Sequence, residues 1–172
     1  MLNVGVIGAG SMGRNHARIY ADIANLIGIV DKNKTIAEDV ATRFHTEAYT
    51  DYRDLLKRQE LDAVSIATPT ASHFELAMAS INAGKHVLIE KPITNNIGDA
   101  KKVIDAAKSQ DLVIVVGHVE RYNPIVSFTK DMIERGHFGK LIAMASRRVS
   151  SLPSRIKDVG VLFDLAIHDI DV

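Results

Sequence analysis

The sequence predicts an α/β chain built on a doubly wound parallel sheet. Short, uninterrupted apolar runs recur from Val4 to Val116. Each is followed by a stretch whose apolar residues repeat with helical spacing. The runs do not alternate with polar residues, the pattern of strands buried on both faces. Strands separated by helix-length segments assemble as right-handed βαβ units, with helices on both faces of the sheet.

Val4–Gly8 is the first run, and Met12–Ala24 the first helical stretch. Leu26–Val30 comes next, and Ile36, Val40 and Phe44 then fall at i, i+4 and i+8. A short strand near Glu47–Tyr49 is the weakest of the set. Ala63–Ala67 precedes a helix over Ser72–Ala83, which stops at Gly84. Val87–Ile89 precedes Ile97, Ala100, Val103, Ile104 and Ala107, which share one helical face. Leu112–Val116 is the last run of the series.

The pattern shifts at Gly117. Arg121-Tyr122-Asn123-Pro124 reads as a turn, with Pro124 in the first turn of a helix that continues to about Arg135. Gly136 and Gly139 end it, Leu141–Val149 reads as a strand, Ser150–Asp158 as a loop, and Val161–Val172 as a final helix. Residues 1–120 are expected to form one domain, with a boundary before residue 121.

The chain has 172 residues, 47% of them hydrophobic and 24% charged, the balance of a water-soluble globular chain. Lys plus Arg equals Asp plus Glu at 21 each, so net charge offers no attraction for nucleic acid or an anionic membrane. The absence of cysteine excludes disulfides, thiol nucleophiles and Cys-ligated zinc, and is consistent with a cytoplasmic protein. No apolar run reaches the roughly 18 residues of a membrane span, and Met1-Leu2-Asn3-Val4-Gly5 lacks the basic start of a signal peptide.

Gly8-Ala9-Gly10-Ser11-Met12-Gly13 fits G-x-G-x-x-G between a predicted strand and a predicted helix. In that setting Gly8 serves a tight turn, Gly10 lets the backbone approach a pyrophosphate, and Gly13 lets helix and strand pack closely. The start of the helix, at Ser11 and Met12, presents free N–H groups and a positive dipole end. Asp31, at the end of the second run, can accept from both adenosine ribose hydroxyls and repel a 2′-phosphate. This is a Rossmann dinucleotide site that favours NAD over NADP; Lys32 and Arg14 are the cations that could offset that preference. Asp31-Lys32-Asn33 also makes a good turn and helix cap, so Asp31 has a purely structural alternative.

Ligands of open α/β sheets bind at the carboxyl ends of the strands. Those ends carry Thr68-Pro69-Thr70 with Ser72-His73, Glu90-Lys91-Pro92, and His118 with Glu120-Arg121-Tyr122. Lys91 precedes a proline, which restricts its backbone, and its ammonium could hold a substrate hydroxyl near a nicotinamide. The alternative is a solvated Lys paired with Glu at a turn. His73 is either a pocket residue or part of a helix's first turn. Asp164, His168 and Asp171 are spaced i, i+4, i+7 and share a helix face. They could supply a general base, a metal site or only a solvated surface.

Taken together, four segments resemble the glucose–fructose oxidoreductase, inositol dehydrogenase and rhizopine-catabolism family (Gfo/Idh/MocA). They are Gly5 through Gly13; Ala67-Thr68-Pro69-Thr70 with Ser72-His73; Glu90-Lys91-Pro92; and the spaced set Gly160, Asp164, His168 and Asp171. The resemblance implies a two-domain NAD(P)-dependent dehydrogenase of sugars, cyclitols or nucleotide sugars. Lys91, Asp164 and His168 match its catalytic positions, with His168 as base and no metal. The resemblance also implies cofactor contacts at Thr68, Pro69, His73, Glu90 and Lys91, and a cis peptide before Pro92. It offers association of copies through the second domain's sheet. Gly117 through Pro124, with Arg147-Arg148-Val149 and Asp158-Val159-Gly160, is similar to the branch that oxidises UDP-N-acetylglucosamine at the 3-hydroxyl.

Members of the family continue for about another domain, so the resemblance implies that residues 121–172 are the incomplete beginning of an α+β substrate-binding domain and that the chain is a piece of a longer protein. A lone strand at Leu141–Val149 would have unpaired edges, and the segment from residue 121 is expected to be disordered, repacked or paired with another chain. A dinucleotide-binding module without chemistry, or an NAD sensor, is the alternative to an enzyme.

Overall fold

The computed structural model describes residues 1–147 and 165–172. Six parallel strands form one sheet: β1 (Asn3–Ile7), β2 (Asn25–Val30), β3 (Ala48–Tyr49), β4 (Ala63–Ile66), β5 (His86–Ile89) and β6 (Ile114–Val116). Their order is β3-β2-β1-β4-β5-β6. Chain direction along the sheet therefore reverses between β1 and β4, which opens a crevice above their carboxyl ends.

Helices α1 (Ser11–Ile23), α2 (Lys34–Arg43), α3 (Tyr52–Leu56), α4 (His73–Asn82) and α5 (Ile97–Ser109) connect these strands. Alternation along each strand divides the core into two clusters. Val6 and Ile29 pack with Ala17 of α1 and with Val40 and Ala41 of α2. Ile7, Val30, Val64 and Ile89 pack with Leu55 of α3, Leu76 and Ile81 of α4, and Val103 of α5. The sheet is thus covered on both faces, the arrangement the uninterrupted apolar runs imply. A turn of 3₁₀-helix, Thr70–Ser72, leads into α4, and α4 ends where Gly84 takes φ 72°.

Two features differ from the sequence expectation. Helix α3 was not anticipated: five residues are too few for a periodic signal, and Asp51 starts it by accepting a hydrogen bond from Arg53 N at 2.9 Å. The expected strand Leu141–Val149 is not formed in its described part. Residues 141–147 are irregular and exposed, and no strand among the described residues lies beside them to supply ladder hydrogen bonds. Arg148, Val149 and the Ser150–Asp158 loop lie outside the described residues.

The backbone divides into two compact units, Met1–Gly117 and His118–Val172. The second contains α6 (Pro124–Glu134) and α7 (Ile167–Asp171). Asn123 caps α6 and Pro124 occupies its first turn. No α6 residue is buried, and its Ile125 and Phe128 are exposed. Of the helix expected over Val161–Val172, α7 is the described portion. No helix among the described residues is long and apolar enough to cross a membrane.

Candidate functional site

The glycine loop follows β1 directly. A Cβ at Gly13 would stand 1.7 Å from the Gly8 carbonyl oxygen, so the first turn of α1 lies against the loop. Gly8 takes φ 97°, and a Cβ there would stand 2.5 Å from the Ala67 carbonyl oxygen at the end of β4. These two glycines are required by contacts within the protein. Gly10 differs: a Cβ there would meet no protein atom within 4 Å, which leaves its face open to a ligand.

Helix α1 has no side-chain cap and no acidic residue in its first turn. Helices α2, α3, α5 and α6 are each capped by an Asn or Asp side chain. The free N–H groups and positive dipole end of α1 therefore face the loop without an internal anion, a setting suited to a pyrophosphate.

Asp31, immediately after β2, does two jobs at once. Its Oδ2 accepts the Ala9 N–H at 2.9 Å, tying the glycine loop to β2, and its Oδ1 accepts the Asn33 N–H at 2.9 Å. Each carboxylate oxygen keeps a second lone pair for a ribose hydroxyl. Of the two neighbouring cations, Arg14 is drawn away by an ion pair with Asp39 at 2.8 Å, while Lys32 lines the cleft.

That cleft has a volume of about 630 Å³. Gly8, Gly10, Asp31, Thr68 and Pro69 line it, which gathers five of the expected cofactor residues. Its far end is formed by Thr50, Asp51, Tyr52 and Arg53, supplied by the unanticipated α3 and the turn before it. Ser11 and Met12 open α1 and are not among the lining residues.

His73 does not line this cleft. It is 1% exposed, with Nδ1 2.8 Å from the Pro92 carbonyl oxygen and Nε2 2.9 Å from the Thr68 carbonyl oxygen. The buried ring sits between two loops, with a carbonyl oxygen at each nitrogen; a neutral imidazole donates to one of the two, the tautomer deciding which. The expected cofactor contact of His73 is thus not among the contacts that build this cleft.

Glu90 and Lys91 leave β5 at the same carboxyl edge of the sheet, and the Lys91–Pro92 peptide is cis. Glu90 is 8% exposed. Its Oε1 lies 3.1 Å from His16 Nε2, and its Oε2 accepts the Lys91 N–H at 3.3 Å. Burial pushes the Glu90 carboxyl up, but His16, the Lys91 N–H and the Lys91 ammonium outweigh it and hold the group below its ordinary value. His16 Nδ1 in turn lies 2.7 Å from Ser65 Oγ, fully buried on β4. Neither Glu90 nor Lys91 is among the residues lining the cleft.

Sequence reasoning missed His16. The available signal was Ser65, a hydroxyl inside an apolar run, which needs a partner when buried.

In the second unit, Arg121 grips Asp171 through two bonds, Nε to Oδ2 at 2.7 Å and Nη2 to Oδ1 at 2.6 Å. The Arg121 guanidinium holds the Asp171 carboxyl below its ordinary range despite some burial, with His118 and His168 adding to the effect. His118 Nδ1 lies 3.4 Å from Oδ2. Asp171 is thus committed to Arg121, a partner the i, i+4, i+7 pattern did not reveal. His168 lies on α7. Asp164 lies outside the described residues. Among the described residues, no group of three His, Asp or Glu is arranged to hold a metal ion.

Comparison with known proteins bears on this geometry. The chain is 37% identical over 171 residues to a UDP-N-acetylglucosamine 3-dehydrogenase of Acidithiobacillus ferrooxidans, covering 99% of this chain and 53% of that protein. A crystal form of that enzyme superposes with a TM-score of 0.84 at 38% identity, covering 99% of this chain and 54% of the other. A levoglucosan dehydrogenase solved with NADH superposes with a TM-score of 0.81 at 32% identity, covering 99% and 52%. A myo-inositol 2-dehydrogenase of Thermotoga maritima is 31% identical over 178 residues, covering 99% of this chain and 53% of that protein. The chain spans about half the length of the curated relatives it matches. A family model described as an oxidoreductase family with an NAD-binding Rossmann fold matches residues 2–118, where the glycine loop, the cleft and the Glu-Lys-Pro exit all lie, so the chain belongs to the Gfo/Idh/MocA oxidoreductase family.

Proposed function

We propose that the whole protein oxidises a secondary hydroxyl of a nucleotide sugar, UDP-N-acetylglucosamine at its 3-position, with NAD as the hydride acceptor. The observation that carries the cofactor half of this reading is the cleft where Gly8, Gly10, Asp31 and Thr68 meet the uncapped start of α1. The similarity to the Acidithiobacillus enzyme, which extends through residues beyond 118, supports the substrate.

NAD supplies an acceptor for the hydride that leaves the carbinol carbon. The chain's residues do the rest. The α1 N-terminus and the glycine loop hold the pyrophosphate, and Asp31 receives the ribose hydroxyls. Lys91 donates a hydrogen bond to the reacting hydroxyl and stabilises negative charge developing on its oxygen. His168 takes the hydroxyl proton, and Asp164 supports the resulting imidazolium. Carbon loses a hydride and oxygen a proton, so the hydroxyl becomes a carbonyl. Residues 121–172 begin the domain that walls the substrate side.

The test is NADH formation by the full-length protein supplied with UDP-N-acetylglucosamine, free N-acetylglucosamine, myo-inositol or levoglucosan. Oxidation of the nucleotide sugar alone is expected. Preference for an unmodified cyclitol or anhydrosugar overturns the substrate, and NADH binding without turnover on any polyol favours a dinucleotide-binding module. For the 172-residue chain itself, binding without turnover is the expected behaviour, because every residue lining the cleft belongs to the first unit.

Asp31 allows a sharper check on the cofactor. Asp31→Ser is expected to weaken NAD about tenfold, roughly 1.4 kcal/mol, while NADP weakens less or improves. Titration with the two reduced dinucleotides measures the ratio. An equal loss for both would confine Asp31 to its turn with Asn33 and Ala9.

A further inference from the structure

The residues on either side of Lys91 are each held by a buried or nearly buried histidine from a different helix. On one side His16, from α1, faces the Glu90 carboxylate at 3.1 Å, and Glu90 accepts the Lys91 N–H. On the other side His73, from α4, faces the Pro92 carbonyl at 2.8 Å. Neither imidazole spends its second nitrogen on solvent. His16 places it 2.7 Å from Ser65 Oγ, anchoring the clamp to β4, and His73 places it 2.9 Å from the Thr68 carbonyl oxygen, in the loop that lines the cleft, so that with its proton on Nδ1 the ring donates to Pro92. The side chains of His16 and Glu90 are 12% and 10% exposed. A hydrogen bond kept from water in this way holds its geometry more firmly than a solvated one.

We propose that His16 and His73 are positioning residues for Lys91: two buried imidazoles that clamp Glu90 and Pro92 and so fix the β5 exit between the helix that opens on the glycine loop and the helix that follows the Thr68-Pro69 loop. The proposal rests on Lys91 being the residue that holds the substrate hydroxyl. It gives the two histidines a common purpose that neither the dinucleotide cleft nor the proton transfer assigns them. Both clamps run through elements that build the cleft, so the position of the ammonium is set by the same framework that seats the dinucleotide. Errors of about 1 Å in such placement cost on the order of a hundredfold in rate.

The two imidazoles connect with opposite handedness, which gives a diagnostic experiment. Asparagine replaces a histidine donor at the Nδ1 position, and glutamine one at the Nε2 position. At residue 73 the Lys91-side contact is made by Nδ1. At residue 16 it is made by Nε2. In the full-length protein, His73→Asn and His16→Gln are therefore expected to keep turnover within about threefold, whereas His73→Gln and His16→Asn lose about tenfold or more in kcat. Hydrogen exchange of peptides spanning residues 89–94, measured on cofactor-free protein, is expected to speed up only in the second pair. A role in packing alone would favour glutamine over asparagine at both positions, because it is nearer histidine in size. That pattern, or exchange that does not follow the crossed order, overturns the proposal. Thermal melting identifies any variant that fails to fold, and the crossed comparison is then read at the other histidine. Lys91→Ala is the companion control. If it keeps full turnover, the role of Lys91 fails and the clamp falls with it; if it loses turnover while the crossed pattern is absent, the clamp alone fails.

Discussion

Gly13→Ala is expected to cost the full-length protein its dinucleotide site. Alanine at a helical position gains about 1 kcal/mol over glycine from propensity alone. Here the new Cβ would stand 1.7 Å from the Gly8 carbonyl oxygen and 2.7 Å from its carbon. The obstruction is backbone, so no rotamer relieves it; either α1 tilts off the sheet or the glycine loop moves. Overpacking of this kind costs about 1–3 kcal/mol, which set against the propensity gain leaves a net loss of up to about 2 kcal/mol. Binding suffers more than stability, because the displaced atoms are the loop and the helix start that receive the pyrophosphate. A loss of at least about tenfold in NADH affinity is expected, with a lower melting temperature. Unchanged affinity in a fluorescence titration would show that the α1 N-terminus does not hold the phosphates.

Lys91→Ala is expected to do the reverse, sparing binding and removing chemistry. The side chain lies outside the cleft lining, so NADH affinity should stay within about twofold of the parent. Turnover should fall by about 10²–10³, the range for loss of a group that stabilises charge on a reacting oxygen. Steady-state kinetics of the full-length protein with its sugar substrate, paired with NADH titration, separate the two effects. A variant that loses NADH affinity in proportion to turnover would move Lys91 from the substrate to the cofactor.

The fold was largely legible because buried parallel strands are chemically monotonous. Runs such as Ile29–Val30 and Val87–Ile89 have no polar face to mislead, and their lengths leave room for little but strands. The glycine loop was legible because two of its glycines answer steric demands that only glycine meets. Legibility failed where structure depends on partners remote in sequence. Helix α3 contributes Tyr52 and Arg53 to the cleft, yet five residues carry no period. His16 and Glu90 lie 74 residues apart, and nothing local marks them as neighbours. The expected strand at Leu141–Val149 illustrates the converse. Its apolar sequence is suited to a ladder, but residues 141–147 pair with no strand among the described residues. His73 was ambiguous because a histidine at the start of a helix reads alike whether its nitrogens meet a ligand or two carbonyls.

The order of the strands also has a consequence for the birth of the site. Gly8 sits at the end of β1, Asp31 at the end of β2 and Thr68 just beyond β4, so the cleft's edges come from three separate crossovers. The β1–β4 pairing that closes it joins Val4 to Ala63 and Ile7 to Ile66, contacts about 60 residues apart along the chain. A chain that has collapsed but not yet made that pairing has a glycine loop and no opposing wall. Dinucleotide affinity therefore depends on that non-local pairing as well as on the motif, and free NAD stabilises only chains in which β4 has docked beside β1.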